Sequence, residues 1–220
     1  MSADCCFSTL LSAAQRGWLA CDGDEALLSL ALPIEGIDPL LALPQLAEQE
    51  SLQVLWDSAP GLCLAAAGPC QELELAGSRR FEQAQRFADL CLSRLHDTAP
   101  DSPAHARPRV LLRFRFFDQV SERRRSEAVV PSVQAVLPRW QLSRQGRRGW
   151  LRLNGVVSSA ADCRELAEQL WLKHEQLLKT PATPTRLTPQ ALVAASEPET
   201  WRQRYATALT RGIDLVNSGD

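Results

Sequence analysis

The sequence predicts an α+β fold, an antiparallel sheet meander with flanking helices, on three observations. Apolar segments of strand length, punctuated by turn residues, fill two blocks, 52–76 and 110–157. Between and around them lie segments whose apolar residues recur at helical spacing. The chain has 220 residues, 45% hydrophobic and 23% charged, enough to bury a core, because a domain of this size hides roughly 70% of its unfolded surface.

The first helix is expected over 7–17, where Leu10, Leu11 and Ala14 fall on one stripe that stops at Gly17. A strand follows over 25–35. Asp38 then caps a helix whose first residue is Pro39, since Asp accepts orphan backbone N–H groups and proline at that position gives up no needed donor. Pro44 shortens or offsets this helix. Segments 52–57 and 62–67 flank Ser58-Ala59-Pro60-Gly61 and read as a strand pair, with 71–76 as a further strand. A helix over 80–95 carries Phe81, Ala84, Ala88, Cys91 and Leu95 on one stripe, with Phe87 beside it.

Pro100, Pro103 and Pro108 mark 97–109 as an exposed connection. In 110–117 the period of two puts Leu112, Phe114 and Phe116 on an inward face and Arg113 and Arg115 on an outward one. Arg123-Arg124-Arg125 reads as a loop. Extended segments over 128–137 and 140–144 lead through Gly146-Arg147-Arg148-Gly149 into a strand over 150–157. Ser159 and Asp162 signal the start of a helix over 162–179, with Cys163, Leu166, Leu170, His174 and Leu177 on its buried stripe. The domain plan is thus an α+β subdomain over 1–179, a linker over 180–198 with four prolines, and an amphipathic helix over 199–220. In that helix Ser196 and Glu199 form a capping box, and Trp201, Tyr205, Leu209, Ile213 and Val216 form the stripe.

Charge is uneven beneath a formal total of −2. Residues 1–100 hold 5 basic and 14 acidic residues, while 107–152 hold 12 arginines against Asp118, Glu122 and Glu127. Aromatic residues interleave the basic stretch, as in single-strand nucleic-acid binders, but the alternation is that of a half-buried strand, and no nucleic-acid partner is assigned. No apolar run nears the ~20 residues of a membrane span and the N-terminus lacks a basic signal-peptide start, so a cytoplasmic protein without membrane contact is expected. Seven cysteines, Cys5, Cys6, Cys21, Cys63, Cys70, Cys91 and Cys163, occur without any C-x-x-C pair beside three histidines, His96, His105 and His174. That is neither a disulfide framework nor zinc spacing, and reads as small buried thiols.

No phosphate-loop, dinucleotide, zinc-protease or nucleophile-elbow motif occurs. Lys173 and Lys179 are the only amines on side chains; Glu175 precedes Lys179 by four residues, the spacing of a surface ion pair, and nothing adjacent in sequence desolvates either lysine. No catalytic, cofactor-binding or metal-binding residue is assigned.

Several stretches in order resemble the N-terminal half of isochorismate synthase, in the chorismate-utilising enzyme family that also holds anthranilate synthase component I, aminodeoxychorismate synthase and salicylate synthase. Leu32-Pro33-Ile34 with Ile37-Asp38-Pro39-Leu40 is similar to its early strand and helix start, and Val54-Leu55-Trp56 to its strand ending in Trp. Cys63 to Ala67 with Glu72-Leu73-Glu74-Leu75 resembles its hairpin, and Arg80-Phe81 with Ala84 its next helix. Phe114-Arg115-Phe116-Phe117-Asp118 resembles its aromatic strand, Val136-Leu137-Pro138-Arg139-Trp140 its "LPRW" strand, and Trp201, Ala208-Leu209, Ile213 and Ser218-Gly219 the helix that introduces its catalytic domain. Pro108-Arg109 stands where the family has a glycine pair.

The resemblance implies one half of a two-sheet fold and a Mg²⁺-dependent conversion of chorismate to isochorismate for menaquinone, phylloquinone or siderophore synthesis. It also implies that the base, the acid and the Mg²⁺ ligands lie beyond this sequence, so that the chain meets chorismate only through an absent C-terminal half and self-associates through an exposed sheet face. The alternatives are a non-enzymatic binding or scaffold domain, and the N-terminal part of another chorismate-utilising enzyme such as anthranilate, aminodeoxychorismate or salicylate synthase.

Overall fold

The computed structural model describes residues 7–21, 24–47, 52–58, 61–115 and 131–179, together with 206, 207 and 210. The chain divides into two units, Met1–Ala182 and Thr183–Asp220. In the second unit the described residues Ala206, Thr207 and Thr210 are helical; the expected linker over 180–198 and the stripe from Trp201 to Val216 lie outside the described residues, as do Phe116, Phe117 and the triple arginine.

The first unit is α+β. In chain order it runs α1 (Phe7–Leu19), β1 (Ala26–Glu35), α2 (Pro39–Ala47), β2 (Gln53–Asp57), β3 (Leu62–Leu75), α3 (Arg80–Arg94), β4 (Leu95–Asp97), a 3₁₀ turn (Ala104–Ala106), β5 (Leu111–Phe114), β6 (Val133–Gln145), β7 (Arg148–Val157) and α4 (Ala160–Lys179). The sheet order is β2-β3-β6-β7-β1-β4, with β5 paired to β6 off that path. All ladders are antiparallel except β1 with β4. The β2–β3 and β6–β7 hairpins join strands in sequence, whereas β1 returns to lie between β7 and β4.

Local chemistry accounts for the boundaries. The Asp38 carboxylate accepts the Leu40 N–H at 2.9 Å ahead of Pro39, the cap expected from the sequence. Ser159 Oγ accepts the Asp162 N–H at 3.1 Å, while the Asp162 carboxylate accepts the Ser158 N–H and hydroxyl at 2.8 and 2.9 Å. Gly146 at φ 61° makes the β6–β7 turn, a backbone region costly for a residue with a Cβ.

Two strand pairs expected from sequence are single long strands. Segments 62–67 and 71–76 join in β3 because Cys70 bulges out between Pro69 and Gln71, letting the ladder to β6 continue. Pro138 likewise lies within β6, opposite Pro69. The inward face read for the Phe-rich strand is corrected: β5 has four residues, and Leu112 and Phe114 are 46% and 37% exposed. On α3, Ala84 and Cys91 are buried as the stripe predicts, but Phe81 is 55% exposed, stacking on Phe114 with centroids 4.7 Å apart.

One sheet face carries the main core. Leu28, Leu30, Leu32 and Ile34 of β1 and Leu142, Leu151 and Leu153 of β6 and β7 meet Leu10 and Ala14 of α1, Ala42 and Leu46 of α2, and Leu166 and Leu170 of α4. Gly155 permits α4 to approach β7; a Cβ there would lie 2.5 Å from Leu166 Cδ1. A smaller cluster joins Ala84 of α3 to Val133 and Ala135 of β6.

Candidate functional site

The alternate residues of β1, β6 and β7 give the opposite face a different chemistry. Ser29, Gln141, Ser143, Arg152 and Asn154 are all fully buried there. Burying polar groups is costly unless they are bonded; the connection 98–110 supplies partners to Gln141 and Arg152, while Ser143 Oγ and Asn154 Oδ1 have none among the described residues. Gln141 accepts the Arg109 N–H at 3.1 Å and donates to the Arg107 carbonyl at 2.9 Å, so one side chain stands in for two strand-like bonds. Asn154 donates to the Pro138 carbonyl at 2.7 Å, at the point of β6 where Pro138 faces Pro69 of β3.

Arg152 is the centre of this face. Its guanidinium donates to the Ala106 carbonyl, to Ser29 Oγ at 2.9 Å, to Ser102 Oγ at 3.0 Å and to both carboxylate oxygens of Asp97 at 2.7 and 3.2 Å. All five donors of the fork are used, the condition under which a buried charge is held without a large penalty. Nothing in the sequence order singled out Arg152, because its partners come from β1, β4 and the connection, up to 123 positions away.

Beside this polar patch, β2, β3, β5 and β6 frame a groove of about 640 Å³. Val54, Trp56, Leu64, Leu112 and Val136 make it mainly apolar, and Gln53, Arg109, Arg113 and Gln134 supply its polar groups. Trp56 is 62% exposed. Gln134 donates to Glu72 and Glu74 at 2.6 and 3.0 Å. Burial and the neighbouring Arg109 both lower the pKa of His105. The site can bind an apolar surface or body carrying a polar edge; no acid and base converge on it among the described residues.

The lysines separate. Lys179 pairs with Glu175 at 3.3 Å on the surface, as its spacing predicts. Lys173 departs from expectation: it is buried, donates to the Gln45 carbonyl at 2.9 Å and lies 5.9 Å from the Trp140 ring centroid. It takes the place on α4 that the sequence stripe gave to His174. His174 is half-buried, its Nε2 3.1 Å from the Pro33 carbonyl, so it serves the α4–β1 packing rather than ligand binding. Of the described cysteines, Cys63, Cys91 and Cys163 are buried and Cys21 and Cys70 half-buried, all as free thiols. Burial pushes the thiol of Cys70 up to about 11, and raises those of Cys63, Cys91 and Cys163, which suits packing and opposes nucleophilic use.

The resemblance implies Mg²⁺. Among the described residues no three of His, Cys, Asp or Glu converge as a metal site would require, and Glu72 and Glu74 are already engaged by the Gln134 amide. These residues do not fit the ion, and no step is assigned to it here.

The fold and this face define an α+β protein with a helix-covered sheet whose other side is polar at its centre and apolar at its margin. Residues 12–220 match the model of the chorismate-binding enzyme family, and the chain belongs to that family. No curated protein matches it. Among solved structures it is similar to MenF, the menaquinone-specific isochorismate synthase from Escherichia coli, at 18% identity and a TM-score of 0.44, over 80% of this chain and 35% of that one. The chain thus spans about a third of the length of that enzyme.

Proposed function

We propose that this chain is the N-terminal portion of an isochorismate synthase and that it takes part in converting chorismate to isochorismate only together with a catalytic half. The observation that carries the proposal is membership of the chorismate-binding enzyme family over nearly the whole chain. The ordered stretches from Leu32-Pro33-Ile34 to Val136-Leu137-Pro138-Arg139-Trp140 favour isochorismate synthase within it. The reaction replaces a hydroxyl at one carbon by water at another, so it needs a positioned base, a positioned acid and a site closed to bulk solvent. The described residues supply a rigid sheet instead. Arg152 fixes β7 to β1, β4 and the 98–110 connection, and the groove beside it presents apolar surface to a covering partner.

The test is an assay of the chain with chorismate and Mg²⁺, alone and with a catalytic half of the family supplied in trans, the product being identified by mass. No turnover alone and isochorismate with both parts is the expected result. EDTA-sensitive isochorismate from the chain alone overturns the need for a second half. A chain that neither binds nor activates such a half overturns the assignment and favours a self-contained binding domain.

A further inference from the structure

β2 (Gln53–Asp57) stands at one end of the sheet and pairs only with β3 among the described residues. Two hydrogen bonds fix which way its backbone groups point. Gly68 N–H donates to the Leu52 carbonyl at 3.0 Å, and Ser58 N–H donates to the Leu62 carbonyl at 3.0 Å. In a strand of an antiparallel ladder, successive residues turn their N–H and C=O to opposite sides. Val54 and Trp56 therefore share the β3-facing direction of Leu52 and Ser58, while Gln53, Leu55 and Asp57 turn both groups outward. Four of the five β2 residues are exposed and Val54 is half-buried, with Leu55 39% and Trp56 62% accessible. An edge of this kind is a template for a further strand.

We propose that this edge joins two copies of the chain, antiparallel about a twofold axis through Leu55. In that register Leu55 opposes Leu55 of the second copy, and Gln53 opposes Asp57 of the second copy. All three outward residues of each strand are then paired, giving six inter-chain backbone hydrogen bonds by the geometry of an antiparallel ladder. A shift by two residues leaves Asp57 or Gln53 of β2 unpaired, and a shift by one turns one copy's sheet face over.

The side chains agree with the register. Trp56 lies opposite Val54 of the second copy, an aromatic against a β-branched residue, the kind of cross-strand pair that stabilises sheets. The one charge on the strand, Asp57, meets the neutral Gln53 amide, which donates to carboxylates, rather than another Asp57. Both apolar residues left exposed on this edge, Leu55 and Trp56, are thereby covered. The argument uses only the edge of the sheet and does not rest on the proposed enzymatic role.

Sedimentation equilibrium of the full chain across a concentration series tests the proposal, with three variants. Leu55→Pro removes an N–H that points away from β3, so β2 keeps its own ladder while two inter-chain bonds are lost; dimerisation should weaken about tenfold or more. Gln53→Lys places two opposite-charge pairs across the interface and should tighten the dimer several-fold at low salt, an effect that fades as salt rises. Gln53→Asp places like charges there and should weaken it. Far-UV circular dichroism confirms that each variant is folded, and the two charge variants carry the test if Leu55→Pro is not. A monomer at every concentration overturns the proposal, as does a dimer that responds alike to Gln53→Lys and Gln53→Asp.

Discussion

Arg152 and Asp97 form a bidentate ion pair, Nη1 to Oδ1 at 2.7 Å and Nη2 to Oδ2 at 3.2 Å, with the arginine side chain fully buried and the aspartate 21% exposed. The pair joins the centre of β7 to the end of β4, and so holds the start of the 98–110 connection against the sheet. Taking a guanidinium out of water is expensive, and the five acceptors around it offset that cost. Removing Asp97 leaves the buried guanidinium without its counter-charge and with two of its five acceptors gone.

Asp97→Ala should therefore cost about 3 to 5 kcal/mol, as other broken buried pairs do. The exposed Arg164–Glu168 pair at 3.5 Å, also between arginine and a carboxylate, is the control. Glu168→Ala should cost under about 0.5 kcal/mol, because solvent screens that pair. Urea unfolding of both variants gives the comparison, and similar losses would show that Arg152 finds another counter-charge.

Much of the fold was legible because the elements announce themselves locally. Asp38-Pro39 and Ser159 with Asp162 carry their own capping chemistry, and Gly146 carries the turn. What was not legible depended on partners distant in sequence. Pro69 and Pro138 read as strand breaks alone, yet they face each other across a ladder that a bulge at Cys70 repairs. Leu112 and Phe114 alternate as a buried face should, but burial is set by what covers a strand: among the described residues the Phe81 ring meets Phe114, and Leu112 lines the open groove. Lys173 is buried by packing that its sequence neighbours do not show, since its partner is the Gln45 carbonyl of α2. The candidate site was illegible for the same reason: Ser29, Asp97, Ser102 and Arg152 share no local pattern.

At Gly155 of β7, an added Cβ would lie 2.5 Å from Leu166 Cδ1 of α4. Gly155→Ala should destabilise by about 1 to 3 kcal/mol, the range for overpacking a well-filled core, since its Cβ would press on Leu166. Shortening that neighbour should relieve it. In Gly155→Ala with Leu166→Ala, the loss should fall short of the sum of the two single losses, a coupling that a double-mutant cycle measures directly. Strict additivity would place the strain elsewhere.

The start of α4 offers a test at acid pH. Ser159→Ala removes the acceptor for the Asp162 N–H and should cost about 1 kcal/mol in thermal or urea unfolding. The Ser158 backbone N–H, then its hydroxyl, and the Ser159 hydroxyl hold the Asp162 carboxyl below its ordinary value of 3.8. A depressed carboxylate contributes stability that is present above the unfolded value and is lost as pH falls through the folded one. Carbon-detected NMR titration should find Asp162 still ionised where an unstructured aspartate is half protonated, and an ordinary titration midpoint would show that the Ser158 bonds do not persist in solution.

Cys70 gives the corresponding test at alkaline pH. Burial is the main cause of its rise from 9.0 to about 11, with Cys91 adding to it and Arg139 opposing. An unfolded chain releases the thiol proton near 9, whereas the folded chain keeps it until near 11, so the unfolded state gains protons less readily and becomes favoured as pH rises through that window. The stability carried by this group is complete below pH 9 and lost between about 9 and 11, by up to roughly 3 kcal/mol. Because Cys63, Cys91 and Cys163 are raised as well, the informative quantity is the difference between the chain and Cys70→Ala. Urea midpoints measured every half unit across the window should converge as the pH climbs, the parent losing more than the variant. Iodoacetamide should label Cys70 slowly at pH 8 in the folded chain and quickly in urea. A parallel pair of pH profiles, or equal labelling rates in both states, would mean that the bulge leaves this thiol open to water.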